Sequence, residues 1–207
     1  MNSSVTSIKD LIATFERWAD PNWQEKWDNC GWQVEPGILS QTPGVLVCLT
    51  PTLAVMEEAI ALKSQGVPVN LIFAHHPLIF GGLSSVVCGD SVGDMVRLAI
   101  AHDIGIYTAH TNFDQVTNGT ADVLAQLLDL HAVSPVEQTD PAQDPDRGYV
   151  LVGNLPVGQL LHDFLTTFQT VLAPPRLIYS PTANLQQPIE RVAVLGGSGA
   201  GYLSKVA

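Results

Sequence analysis

Cationic side chains are scarce in this chain of 207 residues: 9 Lys and Arg stand against 20 Asp and Glu, a formal net charge of −11. So few cations argue against the phosphate backbone of nucleic acid as a principal partner, and against an anionic membrane surface. Cysteine is almost as sparse. Cys30, Cys48 and Cys88 are odd in number, far apart and never in a C-x-x-C pair, so no disulfide framework is expected, only buried free thiols in a reducing compartment. No basic-then-apolar segment opens the chain and no apolar run reaches membrane-spanning length, so a cytoplasmic protein is expected. A Gly-x-Ser-x-Gly elbow is also missing, and no cysteine sits in a nucleophile motif; both argue against covalent catalysis.

What the chain does have is an α/β pattern. Ser7 can cap a first helix with Ile8, Leu11, Ile12, Phe15 and Trp18 on one face, ended by Asp20-Pro21. The mixed segment Trp23–Glu35 fits no period and reads as a structured loop. Strands are expected at Val45–Leu49, Val69–Ala74 and Ile104–Thr108. Between them lie one helix from the Thr50-Pro51 cap to about Gln65 and another capped by Ser91. A helix near Thr120–Leu130 should place Val123, Leu124, Leu127 and Leu128 inward. Strand-helix alternation predicts a mostly parallel sheet flanked by helices, with ligands beyond the carboxyl ends of the strands. Residues 138–148, with two prolines and three aspartates, read as an exposed loop between a first lobe at 1–137 and a second at 149–207. The second lobe should hold a strand at Tyr149–Val152, an amphipathic helix at Gly158–Leu172, and strands at Leu177–Tyr179 and Arg191–Leu195.

The chemistry concentrates at two strand ends. In Leu71–Phe80 an apolar run stops at His75 and His76, and Pro77 prevents the strand from continuing inside a sheet. Adjacent strand residues point to opposite sides, so the pair suits one ligand for each of two nearby metals unless the backbone kinks; capping or core histidines are the plainer reading. The second cluster, His110-Thr-Asn-Phe-Asp114, follows the strand ending at Thr108 and should share that sheet edge. Three imidazoles and a carboxylate there make a site for zinc, iron, manganese or cobalt. Asp28 and Asn29 are either site residues or turn-formers. His102, His131 and His162 read as solvated or capping side chains. The glycines of Gly196–Gly201 lack both the P-loop and the dinucleotide spacing, which leaves a weak phosphate cradle or a tight strand-to-helix turn.

Taken together, Asp28–Glu35, Ala74–Phe80, Ala109–Asp114 and Val192–Gly199 resemble, in the same order, the YbgI-type proteins known as GTP cyclohydrolase I type 2 homologues. The resemblance spans nearly the whole chain. It implies two similar lobes, a ring-shaped homohexamer and a dinuclear site. His75, His76 and Asp114 would be ligands to two divalent metal ions, and His110 a catalytic residue beside them. The family completes its site with a histidine and a glutamate four residues later near its C-terminus. No His-x-x-x-Glu occurs here, so the expectation is a C-terminally truncated member with an incomplete second lobe and site. Two functional readings follow: a metal-dependent hydrolase acting on a nucleotide or related small molecule, and a metal-binding scaffold or regulatory protein without turnover.

Overall fold

The apolar run Leu71–Ala74 forms β3, an inner strand of a four-stranded sheet in a computed structural model that describes residues 6–140 and 144–206. The strand order is β1-β4-β3-β2, with β1 at Gly31–Val34, β2 at Val45–Cys48 and β4 at Gly105–Thr108. β2, β3 and β4 are parallel and in register, Cys48 opposite Ala74 and Ala74 opposite Thr108. β1 runs antiparallel on β4 and was not expected. Its mixed Gly-Trp-Gln-Val sequence half-buries along an edge and shows no strand period.

Helices cover both faces of this sheet. α1 (Ile8–Glu16) is capped by Ser7 and buries Ile8 and Ile12 over Leu71 and Tyr107. It stops before Trp18, which instead packs edge-on against Phe15 and Phe113. On the other face α2 (Leu53–Ser64) and α3 (Ser91–His102) bury Met56, Met95 and Ala99 against Ile72 and Ile106. The α2 cap is Thr52, two residues later than the Thr50-Pro51 expectation. Gly66, at φ +87°, ends that helix in the left-handed region open to glycine. α3 starts at Ser91 itself, with Asp90 as the cap.

The compact first unit ends at Phe113 and a second begins at Asp114, earlier than the expected break at 138–148. The reason is packing. α5 (Thr120–Leu127) contributes Ala121 and Ala125 to the core of the second unit, beside Leu151 of β6 (Leu151–Leu160) and Phe164 of α6 (Leu161–Leu172). A short helix, α4, is formed by Thr111–Asp114. Val123 and Leu127, expected inward, are exposed, and the small residues Ala121 and Ala125 take the inner face.

The second unit's sheet is antiparallel throughout, in order β5-β6-β7, with β5 at His131–Pro135 and β7 at Pro188–Val194. Among the described residues, parallel pairing is thus confined to the first unit of this mixed α/β chain. One expectation fails here: Leu177–Tyr179 forms no strand, with Ile178 exposed. β5 was missed because its His-Ala-Val-Ser-Pro sequence has no apolar alternation. Within 138–148, residues 141–143 lie outside the described residues. Arg147 there is buried and pairs with Asp140 at 3.0 Å. After β7, Gly197 (φ +80°) turns the chain toward α7 (Leu203–Val206). No described helix is long and apolar enough to cross a membrane.

Candidate metal centre

Parallel pairing outlasts the strands by a residue or two, and that overrun delivers the histidines. Past the end of β3, the His75 N–H donates to the Cys48 carbonyl at 3.2 Å and the His76 N–H to the Leu49 carbonyl at 2.8 Å. Pro77 has no N–H to continue the ladder. On the neighbouring strand the Ala109 N–H donates to the Ala74 carbonyl at 3.0 Å, and His110 follows.

The three rings converge. Centroids lie 5.1 Å apart for His75 and His76, 5.2 Å for His75 and His110, and 5.7 Å for His76 and His110. One ligand atom from each lies within 4.8 Å of the other two. Strict strand alternation would send His75 and His76 to opposite sides; beyond the strand end they approach each other instead.

Hydrogen bonds orient the rings. His75 Nδ1 lies 2.8 Å from the Ala109 carbonyl, and His110 Nδ1 lies 2.9 Å from both carboxylate oxygens of Asp28. A ring nitrogen facing an acceptor carries the proton, so in both rings Nε2 is the lone-pair nitrogen that a metal or a proton can use. His76 Nδ1 lies 2.7 Å from Thr50 Oγ1. Metal–imidazole bonds of about 2.0–2.1 Å put the ligands of one tetrahedral ion about 3.4 Å apart. From ligand atoms within 4.8 Å of one another, a shift of less than about 1 Å in each ring closes the group on an ion, and its residues fit one. Imidazole donors suit zinc or iron.

Asp28 is the residue that the sequence left undecided. Its side chain is fully buried beside His110, which is 17% exposed. Burial opposes its ionisation, but hydrogen bonds from His110, Thr111, the Asn29 N–H and the Cys30 thiol outweigh that and hold it well below the usual carboxylate range. The Thr111 hydroxyl donates at 2.5 Å and its N–H at 3.1 Å. The β1–β4 register explains this encounter: Gly31 lies opposite Thr108, so the antiparallel path carries Asp28 back toward His110 and Thr111. The signal in the sequence was a carboxylate three residues ahead of an edge strand, legible only once that strand is known.

Asp114 belongs to the second unit, where its Oδ1 accepts from Thr120 Oγ1; the converging group among the described residues is His75, His76 and His110. Asn112 is fully buried, with Nδ2 donating to the Ala19 carbonyl, and acts as a loop brace. His102 ends α3, His131 opens β5 rather than ending a helix, and His162 lies on α6; all three are exposed, and none joins the group. The cysteines are free. Cys30 is buried and Cys48 partly so, but Cys88 is exposed against the expectation.

The fold has counterparts among known proteins. A Nostoc sp. protein named GTP cyclohydrolase 1 type 2 homolog is 61% identical over 200 residues, which cover 97% of this chain and 73% of that protein. The crystal structure of a Staphylococcus aureus hypothetical protein superposes with a TM-score of 0.81 at 26% identity, covering 97% of this chain and 75% of the other. A Bacillus cereus protein related to NIF3 shares the fold with a TM-score of 0.81 at 20% identity, over 99% of this chain and 80% of that one. A family model described as Duf34/NIF3 (NGG1p interacting factor 3) matches residues 6–207. The chain belongs to the Duf34/NIF3 family.

Proposed function

We propose that this protein is a metal-dependent hydrolase acting on a nucleotide or related small molecule, with its metal held at His75, His76 and His110. The observation that carries the reading is the convergence of three imidazole ligand atoms within 4.8 Å just past the strand ends. The name shared by relatives such as the Nostoc protein supports a nucleotide as the substrate class. A bound divalent metal supplies Lewis acidity and activates water for hydrolysis. The chain's own residues do the rest. Ala109 and Asp28 hold Nδ1–H of His75 and His110, and Thr50 braces His76. His110 Nε2 serves either as a ligand or as the group that moves a proton, and the buried Asp28 carboxylate stabilises its cationic form in the second case.

The resemblance to dinuclear proteins extends the proposal to a second ion that would draw on Asp114, and to a homohexameric ring. Val47 and Leu49, 74% and 66% exposed at the β2 edge, are apolar surface that association would cover. Elemental analysis with sedimentation velocity tests these extensions. Turnover is tested by incubating metal-loaded protein with nucleotides and with simple phosphoesters. Metal-dependent product that disappears in His76→Ala supports the hydrolase; tight metal binding with no product from any of them favours a scaffold without turnover. In His110→Ala, loss of metal identifies a ligand, whereas retained metal with lost turnover identifies the proton-transfer group.

A further inference from the structure

Two large aromatic rings stand in water beside the histidine group and take no part in the reading above. Trp27 is 56% exposed and Phe80 62%. Their centroids lie 5.8 Å apart at an interplanar angle of 48°, and Trp27 meets His110 edge-on at 6.1 Å and 78°. Trp18 is exposed too, but it packs on Phe15 and Phe113 and so serves the core. Trp27 and Phe80 serve each other and the rim of the site.

Both rings are carried on pinned backbone. Trp27 directly precedes Asp28, whose carboxylate is fixed by His110 and by the Thr111 N–H. Phe80 directly follows Ile79, whose carbonyl accepts from Asn29 Nδ2 at 2.8 Å and whose N–H donates to Gln33 Oε1 at 3.0 Å. β1 and its approach therefore place both aromatics from one side, while the chain beyond Phe80 passes into Gly81 and Gly82. An adjacent Trp and Phe, each more than half exposed yet rigidly mounted, present an apolar surface that marks a ligand or interface.

The chemistry narrows the ligand. Exposed aromatic faces take planar rings by stacking, or cations. A divalent ion at the three imidazoles would repel an organic cation beside His110, which leaves the planar ring. We propose that Trp27 and Phe80 form the aromatic-ring subsite of this centre, holding a heteroaromatic ring of nucleobase size next to His110. The proposal rests on the reading above for where the substrate lies.

Calorimetric titration of the metal-loaded protein with GMP and with ribose 5-phosphate tests it, because the two probes share sugar and phosphate and differ by the base. The expected result is GMP binding at least about ten-fold tighter, stacking on an aromatic being worth that much. Trp27→Ala and Phe80→Ala should each remove most of that preference while leaving ribose 5-phosphate affinity unchanged, and Trp27→Phe should retain most of it. Equal affinity for the two probes in the wild type overturns the subsite. So does an undiminished preference in both alanine variants. An alanine variant whose sedimentation shows a smaller assembly overturns it as well, since the rings would then belong to a contact between copies. Metal content measured on the same samples keeps the two ideas apart. A chain that holds no metal defeats the metal-centre reading, and the probe comparison on that metal-free protein still judges the aromatic pair.

Discussion

Both carboxylate oxygens of Asp28 lie 2.9 Å from Nδ1 of His110, and the Asp28 side chain is wholly buried while the imidazole is partly exposed. An acceptor so placed fixes the tautomer and leaves Nε2 as the lone-pair nitrogen. Removing such a partner from a metal-binding histidine weakens the metal by about 10–100-fold. Asp28→Ala is therefore expected to lower metal affinity by that factor in a chelator competition. Unchanged affinity would mean that His110 is not held for a metal.

Thr50 offers a milder version of the same test. Its hydroxyl braces His76 Nδ1 at 2.7 Å from an exposed position just past β2. Thr50→Val keeps the shape and removes the hydrogen bond. The expected loss is about ten-fold in metal affinity, at the low end for an outer partner because water can replace the hydroxyl. The unfolding midpoint of the metal-free protein should hardly move. A large drop in that midpoint would instead make Thr50 a structural residue.

These two partners mark where sequence reading succeeded and where it stopped. His75, His76 and His110 were legible because each follows an apolar run, and parallel strands end together on one edge. The partners were not. Thr50 reads as a helix cap, yet Thr52 caps α2 and frees Thr50 for His76. Asp28 reads as a turn residue because β1 carries no alternation, and only its pairing with β4 brings that carboxylate to His110. The second unit was harder still. β5 and β6 include prolines, glycines and exposed positions whose pairing is set by tertiary packing, and α5 turns Ala121 and Ala125 inward beside the expected Leu124 and Leu128 while Val123 and Leu127 stay exposed.

The thiols should differ sharply in reactivity. Burial pushes the Cys30 thiol up to about 11, and the neighbouring Asp28 charge adds to this. At pH 8 only about one Cys30 in a thousand is then thiolate, the reactive form. Cys48 is also raised by burial. Cys88 is exposed and in contact with the Arg97 guanidinium. Native protein treated with iodoacetamide at pH 8 is expected to label first at Cys88, and at Cys30 only after unfolding. Early labelling of Cys30 would show that β1 opens readily.

Tyr107 couples the core to alkaline pH. Its ring is fully buried between β3 and α1, and its hydroxyl donates to Glu16 at 2.9 Å. Burial first, then the Glu16 bond and charge, push its phenol far above the ordinary value near 10. The folded state thus keeps the proton that the unfolded chain releases, so the stabilisation is complete below pH 10 and declines as pH rises beyond it. Tyr107→Phe removes the hydrogen bond and should cost about 1 kcal/mol at pH 8. Above pH 10 the wild type loses stability through ionisation of the unfolded tyrosine, and the phenylalanine variant does not. The gap between them should therefore shrink, and can reverse, in urea unfolding curves taken at pH 8, 9.5 and 10.5. A gap that stays constant across that range would mean that the phenol ionises as readily in the folded chain as in the unfolded one.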